Sequence, residues 1–359
     1  MRRRPIASKG MTLIEVMIAI AISLLVTLAV YQTFAASEGY RRSATAGGDA
    51  TFNGSMALYA MQRDLRMAGF GLNSTTLLGC RVLAYDGGTD PVREFEFPLA
   101  PVSITQGAGT APDTIDLTFS NTEAVPAPVR LTQATPTTVA DLRIDNGFGI
   151  QSGQLLIVGE PGADCTLQQA TNTPTLEPAG QQDLLKRVSG MYRTPFNTWA
   201  SSRYNKPGGL GPVYTLAGVV FPIGGAPAVN RYYIQNGNLV MDQVLQGSIG
   251  LPVAASIVQL QAQYGKDNDA DGTIDVWDEI TPNSSNGWAA VVAIRLALVA
   301  RSALPERPDP ATGNCATTTV APSWSVGELD VSADPSWRCH RYRVFESSIS
   351  LRNMIWRPV

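Results

Sequence analysis

The chain of 359 residues has one histidine, His340. A centre that needs two or more imidazoles, such as a His-rich zinc site, is therefore excluded. Charged side chains are scarce, at 16% against about a quarter in an ordinary soluble domain. Positive charge is not in excess: 27 Lys and Arg face 30 Asp and Glu, a net charge of −3. With no basic footprint, and six Trp that are not interspersed with basic residues, no nucleic-acid partner is expected. The four cysteines form no CxxC pair, which excludes that redox or zinc arrangement. No G-x-S-x-G elbow and no phosphate-binding loop occur, and the Gly-Gly pairs at 208–209 and 224–225 read as turns. The lone His340, between Cys339 and Arg341, reads as structural. No internal repeat is visible. An enzyme is not expected, and no cofactor is required.

What is present is unevenly distributed. Hydrophobic residues make up 44%, too many for a disordered chain. The 33 Gly and 24 Pro predict many turns and short strands. The length allows two or three domains, or one large β-rich domain behind a shorter element. The strongest signal is at the N-terminus. Arg2, Arg3, Arg4 and Lys9 precede Gly10 without an acid among them. From Val16 to Ser37 no residue is charged. As a helix those residues would span roughly 33 Å, enough to cross a hydrocarbon core. The basic flank predicts a cytoplasmic N-terminus. The apolar run is longer than a signal-peptide core, and no A-x-A cleavage site follows it. Glu15 lies just inside the run, where an unpaired carboxylate costs roughly 2.5 kcal/mol or more. Neither a signal peptide nor a plain anchor gives it a role.

Lys9-Gly10-Met11-Thr12-Leu13-Ile14-Glu15 resembles the processing site of type IV prepilins and pseudopilins. The resemblance implies that prepilin peptidase cuts after Gly10 and that Met11 becomes the N-methylated first residue. Glu15 is then the fifth mature residue. The family usually begins with Phe, and here the residue is Met. In a bundle of such helices, the resemblance implies that Glu15 pairs with the terminal amine of a neighbouring subunit. That pairing would neutralise two charges that are costly in apolar surroundings.

The helix is expected to continue past the membrane. Leu58, Met61, Leu65 and Ala68 recur at helical spacing and predict a core-facing stripe. Gly47, Gly48 and Gly54 predict a flexible joint between the two halves, and Gly69 and Gly71 a helix end. Beyond about residue 72 the pattern turns to β. Strands are expected at 113–120, 154–158, 231–235, 238–242, 258–264, 288–299 and 342–351. Asn236-Gly237 makes a two-residue hairpin turn. The segments 121–138 and 304–323 read as loops. The expected organisation is a leader over 1–10, a transmembrane half-helix over 11–37, an amphipathic half over 38–72 and a β-rich periplasmic domain over 73–359. The fold class is α+β and pilin-like: a long N-terminal helix packed on an antiparallel β-rich domain.

Three later stretches resemble the PilW family of minor pilins, relatives of the J-type pseudopilins of type II secretion. They are Arg63-Asp-Leu-Arg-Met-Ala-Gly-Phe-Gly71, Tyr264-Gly-Lys-Asp-Asn-Asp-Ala-Asp-Gly272 and Arg343-Val-Phe-Glu-Ser-Ser-Ile-Ser-Leu-Arg-Asn353. The resemblance implies a role in type IV pilus assembly, twitching motility and cell adhesion. Its implied partners are prepilin peptidase, the major pilin, other minor pilins in a priming or tip complex, and a large tip adhesin of the PilY type. It implies residence in the inner membrane before assembly and in the fibre afterwards. Two alternatives are a J-type pseudopilin and a membrane-anchored periplasmic adhesion or ligand module that never polymerises.

Cys80, Cys165, Cys315 and Cys339 all follow the membrane segment. A cytoplasmic N-terminus puts them in an oxidising compartment, so disulfides are expected. Three connectivities are open, and pairing sequence neighbours is preferred. Finally, Asp267, Asp269, Asp271, Thr273, Asp275 and Asp278 stand at positions 1, 3, 5, 7, 9 and 12 of a loop with Gly272 at position 6. That pattern resembles a calcium loop. Position 12 is Asp where Glu is usual, and a strand, not a helix, precedes the loop. The alternative is a solvated acidic turn. Loss of the leader's four basic side chains would leave 23 basic against 30 acidic residues, a net charge of −7.

Overall fold

The computed structural model describes residues 10–72, 75–122, 128–309 and 311–355. The leader before Gly10 lies outside them. One helix, Leu13–Met67, runs unbroken for 55 residues, roughly 80 Å at the usual rise. Its two halves obey different rules. Over Leu13–Ala35 it is long and apolar enough to cross a membrane, and none of it is buried by the rest of the chain. The few polar side chains there are satisfied within the helix: Ser23, Thr27 and Thr33 donate to the carbonyls of Ala19, Ser23 and Ala29. A helix in hydrocarbon must close its own hydrogen bonds in this way.

The second half buries one stripe. Ala50, Gly54, Ala57, Met61, Leu65 and Ala68 fall at steps of three and four and face the head. Leu58 is only half-buried beside them. The helix runs through the expected flexible joint without a break. Gly54 serves close packing instead: a Cβ on it would stand 2.0 Å from Cε2 of Phe345. Gly47 and Gly48 have open space around them and weaken only the local propensity. The helix ends at Ala68, followed by Gly69 and Gly71 at φ of 78° and 79°, a region that favours glycine.

The head is built on three sheets with short two-stranded ribbons. The four-stranded sheet has the order Val276–Asp278, Ile257–Lys266, Val291–Arg301, Tyr342–Ser350, all antiparallel. Its central strand, Val291–Arg301, is buried almost throughout, as the apolar run predicts. The run begins later than expected, because Trp288 belongs to a short helix, Ser285–Ala290, capped by Ser284. The five-stranded sheet is also antiparallel, in the order Ser248–Ala254, Asn238–Gln243, Ala228–Gln235, Thr114–Phe119, Val102–Thr105. Its hairpin turns at Asn236 and Gly237, both with positive φ, as the Asn-Gly pair predicts. The helix stripe and residues of both sheets share one core, with Tyr232, Tyr264 and Trp288 among its buried side chains. A six-stranded sheet lies beyond and holds its own apolar clusters. One pair in it, Arg81–Asp86 with Cys165–Gln169, is parallel.

Polar groups fix how these layers meet. Asp64 is buried on the helix. Its Oδ2 accepts the Tyr232 hydroxyl at 2.7 Å and Asn230 Nδ2 at 2.9 Å. Burial, with the Asp64 carboxylate beside it, pushes the Tyr232 phenol far above its ordinary range, so it remains a donor. Asn353 Nδ2 reaches the carbonyls of Arg66, Met67 and Ala68 and closes the helix end. Asp113 joins the two antiparallel sheets. It accepts Ala262 N–H at 2.8 Å and Gly107 N–H at 2.9 Å, and its own N–H donates to Leu260 O.

Two outcomes follow. Asp64→Ala orphans the buried Tyr232 and Asn230 donors, at roughly 1–3 kcal/mol each, and should lower the melting temperature of the chain in detergent. A melting point equal to wild type would contradict that anchor. Burial lifts the Asp113 carboxyl from its ordinary range to about 6. Because the folded value is raised, this stabilisation is complete below pH ~4 and is lost as pH rises through about 6. Over that window wild type should lose melting temperature relative to Asp113→Asn. Parallel pH profiles would contradict the raised value.

Candidate functional site

Gly10 and Met11 are exposed just ahead of the long helix. Thr12 is the N-cap, in an extended conformation. Its N–H and Oγ1 both donate to Glu15 Oε2, at 2.8 and 2.9 Å, while Glu15 N–H donates to Thr12 Oγ1 at 3.3 Å. This is a complete capping box, and it sets an acid where the helix dipole favours one. Glu15 therefore has a local role even in an isolated helix, which the sequence reading did not credit. Oε2 carries both bonds from Thr12, and Oε1 has no partner among the described residues. A carboxylate held this way can accept a further donor without giving up its cap.

The acidic segment is the turn between strands Ile257–Lys266 and Val276–Asp278. The structure brings together only part of the expected set. Oxygens of Asp267, Asp269 and Asp275 lie within 4.8 Å of one another. Asp267 Oδ2 accepts the Gly272 N–H, and Asp275 Oδ2 the Asn268 N–H. Gly272, at φ 90°, makes the sharp turn. Asp271 is committed elsewhere: its Oδ1 accepts the Thr273 hydroxyl at 2.6 Å and the Thr273 N–H at 2.7 Å. These bonds hold it below the usual carboxylate range. Asp278 is also committed, to Lys266 Nζ at 2.7 and 2.9 Å. The loop's last position is thus neutralised by a lysine, because the hairpin register sets Lys266 beside the strand that carries Asp278.

Cys80 is bonded to Cys165 and Cys315 to Cys339, with Cα separations of 5.9 and 4.9 Å. The first bond stands where the parallel strand pair begins, as Val82 faces Cys165 across it. The second ties the segment after Glu306 to the start of the last strand. His340 beside it is buried, and its Nδ1 lies 2.9 Å from Ser302 O. The lone histidine thus fastens a loop to the end of a strand. The sequence reading missed Asp64. Its signal was an acid set between Met61 and Leu65 on an otherwise apolar face. It also missed Asp86, fully buried between Arg203, which binds it at 2.6 and 2.8 Å, and Arg93. Strand register, not local pattern, assembles that cluster.

Residues 224–353 match the family model described as Type IV Pilus-assembly protein W. Residues 7–31 match the model described as Prokaryotic N-terminal methylation motif. Among solved structures, the chain is similar to a type IV-like pilin from Thermus thermophilus. The two are 10% identical with a TM-score of 0.31, and the likeness covers 84% of this chain and 94% of that one. No curated protein matches the chain.

The disulfides close loops of 85 and 24 residues, so in the chain-entropy account they contribute about 4–5 and about 3 kcal/mol. Alkylation of the denatured, unreduced protein should label no thiol, and reduction should add four hydrogens to its mass and lower its melting point. A labelled cysteine in the unreduced chain would contradict the pairing.

Proposed function

We propose that this chain, a PilW-family minor pilin of the type IV pilus with a prepilin-type N-terminus, is processed after Gly10, methylated at Met11 and built into the fibre. The observation that carries the reading is one continuous helix. The methylation motif stands at its start, and the segment that matches PilW covers the strand and turn that close its end. Before assembly the apolar half lies in the inner membrane, with the N-terminus cytoplasmic and the head periplasmic. The basic flank favours that orientation, and the two disulfides suit an oxidising compartment.

In the fibre, the methylated amine of Met11 and the Glu15 carboxylate are the charged groups at the apolar end of the helix. Each is costly alone among apolar helices, and pairing between neighbouring subunits removes the cost. The unengaged Oε1 of Glu15 can receive that amine while Oε2 keeps the cap. The partners are prepilin peptidase, the major pilin and other minor pilins in a priming complex. A tip position, with a PilY-type adhesin attached, is the finer form of this reading.

The capping box makes the test sharper. Gln can replace Glu in a capping box but carries no charge. Glu15→Gln should be cleaved and membrane-inserted like wild type, yet fall at least about tenfold in sheared pili, since breaking a desolvated pair costs roughly 3–5 kcal/mol. Glu15→Ala should fall at least as far. Normal incorporation of Glu15→Gln would contradict the pairing. A deletion strain that twitches normally but fails to release exoproteins would move the chain to the J-type pseudopilins.

A further inference from the structure

We propose that the hairpin loop 267–275 binds calcium through Asp267, Asp269 and Asp275, with Asp278 left out of the site. The observation that points to a ligand is Asp267. Its Oδ1 is shut off from solvent with no hydrogen-bond partner among the described residues, while its Oδ2 accepts the Gly272 N–H. No other buried side-chain oxygen or nitrogen among those residues is left unpaired in this way. A buried acceptor without a donor is costly, more so when it is charged. The same carboxylate gathers with Asp269 and Asp275, so three like charges crowd one another. No ion pair to Lys or Arg relieves these three among the described residues. The nearest lysine, Lys266, is spent on Asp278 and the Ile280 carbonyl. A cation is the partner that removes both costs at once.

The donors define which cation. They are all carboxylate oxygens, which suit a hard ion and not a soft transition metal. Oxygens on opposite sides of calcium lie about 4.6–5.2 Å apart, at twice its bond length of 2.3–2.6 Å. Oxygens within 4.8 Å of one another can reach a single ion of that size. Asp269 and Asp275 are exposed, so water can complete the shell, and calcium's flexible coordination suits carboxylates set by a turn better than the near-ideal octahedron that magnesium demands. Three carboxylates give a weak site, in the range of extracellular calcium modules with half-saturation at about 0.1–1 mM. The bound ion would clamp the turn between Ile257–Lys266 and Val276–Asp278, at the edge of the sheet that holds the long helix. It would stabilise the fold by linkage.

The test uses the full chain in detergent, stripped of metal with a chelator. Calcium alone is then titrated against the melting temperature and by calorimetry, with magnesium as a parallel series. Wild type should show heat and a rising melting point with half-effect near 0.1–1 mM calcium, and a smaller response to magnesium. Asp269→Asn and Asp275→Asn each remove one of the crowded charges and leave an amide oxygen to accept the turn's hydrogen bond. Each should keep or raise the calcium-free melting point and require at least about tenfold more calcium, the weakening expected when a ligand charge is removed. Asp278→Asn should keep the calcium response. No heat and no shift by about 10 mM calcium in wild type would overturn the site. An equal magnesium response would overturn the choice of ion. Loss of the calcium response in Asp278→Asn, with the calcium-free fold intact, would overturn the ligand set.

Discussion

The structure depends on how one helix is held at its far end. A span of roughly 80 Å has no partner over its first half, so its orientation is set by the second. There the stripe from Ala50 to Ala68 enters a core shared by two sheets, and Asp64 fastens it with hydrogen bonds to Tyr232 and Asn230. Apolar contact alone would let the helix turn or slide, since it is not directional. The buried carboxylate, the Asn353 amide on the last carbonyls, and the Gln62–Ser347 bond select one rotation and one depth. Gly54 allows the close approach to Phe345 that this packing requires. A hinge at that point would uncouple the apolar half from the head, whereas an unbroken helix carries the head's orientation through to its N-terminal end.

The stretches that resemble PilW in sequence now have a physical reason to be linked. The first, around Arg63–Gly71, is the end of the helix. The last, around Arg343–Asn353, is the strand and turn laid against it, with Asn353 closing its carbonyls. They are two sides of one contact. The third contains Tyr264, whose hydroxyl accepts the Ile104 N–H and whose ring meets Trp288 edge-on in the same core. It then runs into the acidic turn. Glu15 at the other end of the helix shows a similar economy. One oxygen caps its own helix and the other has no partner among the described residues, so the proposed pairing with a neighbour need not compete with the cap.

Features set by local pattern were legible in the sequence. The apolar run, the Asn-Gly hairpin, the alternating strands and the buried strand at Val291–Arg301 each follow from a short-range period or a turn residue. Features set by register or by partners distant in sequence were not. Gly54 looks like a helix weakness until Phe345 is placed against it. Trp288 reads as strand because its neighbours are apolar, yet Ser284 caps a short helix there. Asp64 looks like an interruption of an apolar face until Tyr232 arrives from another sheet. The acidic loop was recognisable from spacing, but the fate of its last position was not. Lys266 meets Asp278 only through the pairing of two strands and takes it out of the set, while Asp271 is tied to Thr273, so three of the six expected donors gather.

The central claim is that this helix begins life behind a leader and ends it as the methylated terminus of a pilus subunit. Mass spectrometry of the N-terminal peptide, taken from native protein in sheared fibres and in membranes, tests it most directly. The account predicts a chain that starts at Met11 and carries one methyl group on its α-amine. A mature protein that keeps Arg2–Gly10, or one cut elsewhere in the apolar run, would contradict it.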